Sequence, residues 1–178
     1  MTSGPSSIAL VDVHYQGDAA RAACVTARAW TDATCHDEWT ADIMEVARYR
    51  PGHFFERELP CLVTVLAQAR EPFDVVVVDG YVVLDQAGAP GLGGYLFEHL
   101  EGRVPIVGVA KRSCAGSDFA ARVLRGSSQN PLFVTARGMP TAAAAELVRA
   151  MHGAHRIPTL CTRVDQLCRG LLARSGAP

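Results

Sequence analysis

Hydrophobic positions along this 178-residue chain change their period as the chain proceeds. The segments SIALVDVHYQ (7–16) and AARAACVTARAW (19–30) are strand-like runs joined at the turn pair Gly17-Asp18, and TCHDEWT (34–40) is a third strand candidate. Within RPGHFFERELPCLVTVLAQAR the spacing becomes helical. Phe55, Leu59, Leu62, Val63 and Leu66 share one side, and Pro60 fits only a first turn or a kink. DVVVV (74–78) and PIVGVA (105–110) are unbroken apolar runs of strand length, the pattern of central parallel strands covered on both faces, and PLFVTA (131–136) is a further candidate. TAAAAELVRAMHG and TRVDQLCRGLLAR predict two closing helices. An antiparallel opening followed by alternating helices and strands predicts an α/β domain built on one mixed sheet. The glycine-rich DQAGAPGLGGYL (85–96) reads as a connection or the loose start of a helix, because no apolar strand leads into its glycines with the spacing of a dinucleotide fingerprint.

Composition narrows this picture. A chain of 178 residues, 49% of them hydrophobic, buries one core of ordinary size, so residues 1–178 are expected to form a single domain. The six cysteines form no C-x-x-C pair and no Cys/His cluster, which points to a reducing compartment and to no zinc finger. The first residues lack the pattern of a signal peptide, and no apolar run approaches membrane-spanning length, so a cytoplasmic location is expected. A net charge of −1 gives no general affinity for nucleic acid, and any such contact must be local. Of the 17 basic residues only Lys111 is a lysine.

Three carboxylates are placed unusually. Asp79 follows four valines, at the carboxyl end of a buried strand, the edge where open α/β sheets carry their ligand sites. Asp12 interrupts the first strand, and Glu58 lies three residues after Phe55 and four before Leu62, so helical spacing turns it inward. Carboxylates gathered beside a sheet repel one another and persist best around a hard divalent cation, magnesium above all. Taken singly, Asp79 also suits a cap, Asp12 an arginine partner, and Glu58 a surface pair with Arg57 or Arg50.

Carboxylates on a first strand, the following helix and a later central strand match the site layout of ribonuclease H-like nucleases. LVDVHY, RYRPGHFFERELP, VVVVDGYV, VPIVGVAKRS and PLFVTARG together resemble, in order and spacing, the endonuclease V family, which cuts DNA or RNA near inosine. The resemblance implies a ribonuclease H-like α/β fold: a mixed sheet with antiparallel N-terminal strands, flanked by helices. It also implies that Asp12, Glu58 and Asp79 hold a catalytic Mg2+, with Mn2+ as a substitute, and that Lys111 assists. Tyr49 corresponds to a wedge that enters the space of a displaced base, framed by Pro51 and Gly52, with Arg48 where the family has a proline. Main chain near Gly52 and Gly80 is implied to hold the inosine base, and Arg48, Arg50, Lys111 and Arg112 to supply local positive charge. The implied partner is inosine-containing DNA or RNA rather than a membrane. The implied reaction cuts one bond beyond inosine on its 3′ side, leaving 3′-hydroxyl and 5′-phosphate ends.

Two departures bear on activity. Tyr81 follows V-D-G where the family has histidine or a similar polar residue, and Met139 stands at a late metal-site histidine. A thioether is a feeble ligand for magnesium. His14, two positions from Asp12 on the same strand face, is the candidate replacement, a core or hairpin histidine being the other reading. His53, beside the wedge, suits a phosphate contact or a solvated loop. The alternatives are accordingly a catalytically weakened inosine- or nucleic-acid-binding homologue, or a nuclease directed at branched or otherwise distorted strands.

Overall fold

Gly17, at φ 61, turns the chain between strands β1 (Ile8–Gln16) and β2 (Ala19–Ala27), and the hairpin is the antiparallel opening that the pattern predicts. The computed structural model describes residues 7–48, 50–51, 53–114 and 116–170. The remaining elements are β3 (Asp37–Ile43), α1 (Phe54–Leu66), β4 (Val75–Asp79), α2 (Leu92–His99), β5 (Ile106–Ala110), β6 (Ala121–Val123), β7 (Leu132–Arg137), α3 (Thr141–Ala150) and α4 (Thr159–Cys168). Among the described residues the strands form one sheet in the order β3-β2-β1-β4-β5-β7-β6. β4 runs parallel to β1 and β5, and the other pairs are antiparallel.

The valine run is the sheet's centre. Alternate residues face opposite layers: Ile8, Leu10, Val75 and Val77 pack towards α3 and α4, while Ala9, Val11, Val76 and Val78 pack towards α1 and α2. Each such valine is almost fully buried, and burying one contributes on the order of 1.5–3 kcal/mol. A strand covered on both sides leaves only its ends for polar chemistry. No helix among the described residues is long and apolar enough to cross a membrane.

Several boundaries differ from the pattern. β2 ends at Ala27 because the Asp32 carboxylate accepts the amides of Arg28 and Ala29, at 2.9 Å each, and bends the chain away. β3 begins at Asp37, three residues later than TCHDEWT suggests. Pro60 lies beyond the first turn of α1, on the exposed side, where water can reach the Glu56 carbonyl that lacks its amide partner. α4 begins at Thr159, directly after Pro158, and 171–174 of its expected span lie outside the described residues.

The glycine-rich segment contains a helix. A Cβ on Gly93 would come within 2.7 Å of Val82 Cγ2, and one on Gly94 within 2.5 Å of the Val82 carbonyl oxygen. These glycines let α2 lie close against the chain leaving β4.

Candidate active site

The register of the parallel strands brings the first two carboxylates side by side. Val11 pairs with Val78, so Asp12 and Asp79 lie one step further along neighbouring strands. Their positions in the alternation are those of Leu10 and Val77, whose side chains face the α4 layer. Asp79 pairs in turn with Val109 on β5, and Lys111 follows two residues later. The Lys111 ammonium donates to Asp79 Oδ2 at 2.5 Å. Burial works against the Lys111 charge, but the Asp79 hydrogen bond and the surrounding carboxylates raise its pKa overall.

Glu58 reaches the same edge from α1, as its helical spacing requires, and is only 6% exposed. Its surface-pair reading is not what the structure shows. Arg50 pairs with Glu56 at 3.1 Å, and the Arg57 guanidinium lies 4.2 Å from the Tyr15 ring centroid. The Glu58 carboxylate has neither a hydrogen bond nor an ion pair among the described residues. Burial, followed by the charges of Asp12 and Asp79, pushes its pKa up to about 8. Asp12 is pushed up to about 7 by burial and then by Asp79, although the Val13 amide donates to its Oδ1 at 2.8 Å.

One carboxylate was not legible in the sequence. Asp165 on α4 faces Asp12, and oxygens of these two and the Cys168 sulfur all lie within 4.8 Å of one another. The i, i+3 spacing of Asp165 and Cys168 placed them on one helix face, but the sequence contained no sign that this face meets Asp12. The four carboxylates do not converge on a single point. Asp12 is turned towards Asp165, whereas Asp79 is held by Lys111. Beside them is a cavity of about 20 Å3 lined by Asp12, Asp79, Lys111, Pro158 and Cys161. That is room for about one water or ion, not for a nucleobase.

These side chains fit a divalent cation. A buried carboxylate with no cationic or hydrogen-bonding partner, next to two more carboxylates, is costly in its charged form unless a positive ion balances it, and otherwise takes up a proton. The oxygen donors of Asp12, Glu58 and Asp79 suit a hard ion.

Met139 packs against the hydrophobic core between the sheet and α3 and α4. His14 lines a separate groove with Arg21, Asp42 and Cys168, and is not part of the Asp12–Asp165–Cys168 cluster. Asp165, rather than Met139 or His14, is the group that lies beside Asp12 on this side.

Gly80 takes φ 130, and a Cβ there would meet nothing within 4 Å, so its main chain is bare on that side. Its carbonyl lies over Gly108, where a Cβ would come within 2.4 Å of it. Tyr81 ties this turn to the segment after β5: its hydroxyl donates to the Arg112 carbonyl at 2.8 Å and accepts the Cys114 amide at 3.0 Å. The polar position after V-D-G has thus become a brace for the Lys111 loop. Arg48 and Pro51 are exposed, and His53 faces Glu56 at 3.1 Å. Tyr49 and Gly52 lie outside the described residues.

Comparison with known proteins follows this geometry. The family model described as Endonuclease V matches residues 2–144. The solved endonuclease V from Streptomyces avermitilis is 27% identical, with a TM-score of 0.72 over 94% of this chain and 83% of that one. The catalytic domain of human endonuclease V is 24% identical, with a TM-score of 0.78 over 94% of this chain and 82% of that one. Endonuclease V from Ciona intestinalis, solved with a 24mer DNA containing an inosine followed by a ribo-adenosine, is 18% identical, with a TM-score of 0.77 over 93% and 85%. The architecture is the ribonuclease H-like fold of these structures. No curated protein matches the chain.

Proposed function

The chain belongs to the endonuclease V family, and on that premise we propose that it is a divalent-metal-dependent endonuclease cutting a phosphodiester on the 3′ side of inosine in DNA or RNA. The observation that carries this reading is Glu58, a buried carboxylate without a partner beside Asp12 and Asp79 at the sheet edge. Asp12, Glu58 and Asp79 would hold the ion, with Asp165 adjoining them. Magnesium, or manganese in its place, supplies charge neutralisation at the phosphate and activation of a water.

The chain's own groups do the rest. Lys111 holds Asp79 in orientation and presents a compact positive charge to an incoming phosphate. The bare main chain at Gly80 admits a nucleobase closer than any side chain would allow. Tyr81 keeps the Lys111 loop against that turn, so that base recognition and the catalytic edge are held at a set spacing. Tyr49 is the wedge of this reading, framed by Pro51 and Gly52, and Arg48 and Arg50 supply positive charge for phosphate contacts.

The test is cleavage of inosine-bearing and plain oligonucleotides, as DNA and RNA, with magnesium or manganese, using wild type and Asp79→Ala. Inosine-dependent cutting by wild type alone is expected. Binding without cutting would establish the weakened homologue, and cutting without regard to inosine the nuclease of altered specificity.

A further inference from the structure

Lys111 stands where the sheet stops. The pairing of β5 with β7 ends at Ala110 and Phe133, and Pro131, two residues before Phe133, has no amide with which to extend it. Beyond that last pair the carbonyls of Lys111 and Pro131 take a donor from elsewhere. Arg156 Nη2 donates to both, reaching the Pro131 oxygen at 2.9 Å, so one nitrogen ties together the ends of two strands. Arg156 is anchored in turn. Arg125 donates to the carbonyl of Arg156 at 3.3 Å and to that of His155 at 3.0 Å, which fixes the backbone from which the side chain extends. The next two residues, Ile157 and Pro158, line the small cavity with Asp12, Asp79 and Lys111, and Pro158 leads into α4, the helix that carries Asp165.

A lysine side chain has four rotatable bonds, and its ion pair with Asp79 is open to solvent on both partners, so that pair is a weak constraint on where the ammonium sits. The main chain beneath it is held more firmly. Arg156 secures the Lys111 carbonyl, while the Tyr81 hydroxyl secures the Arg112 carbonyl and the Cys114 amide. We propose that Arg156 is a positioning residue for Lys111, fixing the backbone so that the ammonium meets Asp79 at the metal edge. The inference rests on the reading that Lys111 serves that edge. Arg156 also belongs to the connection that opens α4, so a single guanidinium links Lys111 to the element bearing Asp165.

Lys111 is the only lysine, so protein labelled with 13C at its lysine ε-methylene groups gives one such signal. Wild type is expected to show the order parameter of a held side chain, and Arg156→Gln that of a mobile one. Arg103→Gln, at an exposed pair with Glu101, should leave the signal unchanged. Single-turnover cleavage should fall roughly tenfold in Arg156→Gln with oligonucleotide affinity unchanged, and no further when the change is made in Lys111→Ala. Arg156→Met, which keeps the packing of the stem without its donors, is the second variant if Arg156→Gln fails to fold. A signal already mobile in wild type, a signal that Arg156→Gln leaves ordered, or equal rate losses in both backgrounds would each overturn the proposal. An ordered signal that Arg156→Gln loosens, in a protein that does not cut inosine strands, would keep the positioning role and remove the nuclease reading. Cutting by a wild type whose signal Arg156→Gln leaves unchanged would do the reverse.

Discussion

Lys111 reaches across from the end of β5 to place its ammonium 2.5 Å from the Asp79 carboxylate at the end of β4. The side chains are 43% and 36% exposed, so solvent screens the pair and its worth to folding is small. Its significance is chemical, because the only lysine of the chain touches a carboxylate of the candidate metal set.

Lys111→Ala should therefore leave the melting temperature nearly unchanged while cleavage of an inosine-bearing strand falls by roughly 10²–10³-fold. Lys111→Arg should rescue little, because a planar fork cannot occupy the position of a compact ammonium. Single-turnover rates alongside thermal melts separate the two effects.

Stability of the metal-free protein should fall as pH rises. The carboxyl groups of Asp12 and Glu58 go from 3.8 and 4.5 to about 7 and about 8 on folding, so the folded state binds the extra protons. Their contribution is fully present below the unfolded values of 3.8 and 4.5 and is lost progressively as pH rises to about 7 and 8. Glu58→Gln should flatten that decline, and saturating magnesium should reduce it in wild type. Urea unfolding between pH 4 and 9, with and without the ion, measures all three slopes.

Two glycines at the turn after β4 should fail for different reasons. Gly80→Ala meets open space but must adopt φ 130, which costs about 1–3 kcal/mol, and it should weaken binding of inosine strands more than of plain ones. Gly108→Ala places a Cβ 2.4 Å from the Gly80 carbonyl and should be the more destabilising, with strand displacement visible in hydrogen exchange.

Arg125→Ala should be among the costliest single changes. Its guanidinium is buried and donates to the main-chain carbonyls of Met151, Gly153, His155 and Arg156, the connection that delivers α4 to the site. The Met151 carbonyl is the buried one of these acceptors, and leaving it without a donor costs about 1–3 kcal/mol. Cleavage should fall with stability, because Asp165 is carried on the helix that follows. Denaturant midpoints and single-turnover cleavage rates check the two consequences.

Much of this was legible along the chain. The valine run gave its own strand, and the alternation in β1 with the helical spacing of Glu58 gave inward carboxylates, because dihedral preference and facing depend on residues a few positions apart. Lys111 emerged through its motif. Only half legible was α2, read as a connection or the loose start of a helix because its glycines make sense only against Val82; hidden was the partnership of Asp12 with Asp165 and Cys168, more than 150 residues away. Such meetings are decided by how α4 crosses the sheet to cover its second face, with Arg125 anchoring the connection before it. Local pattern states which side of an element is apolar; only closing the core on both faces determines which distant polar groups are left side by side at its rim.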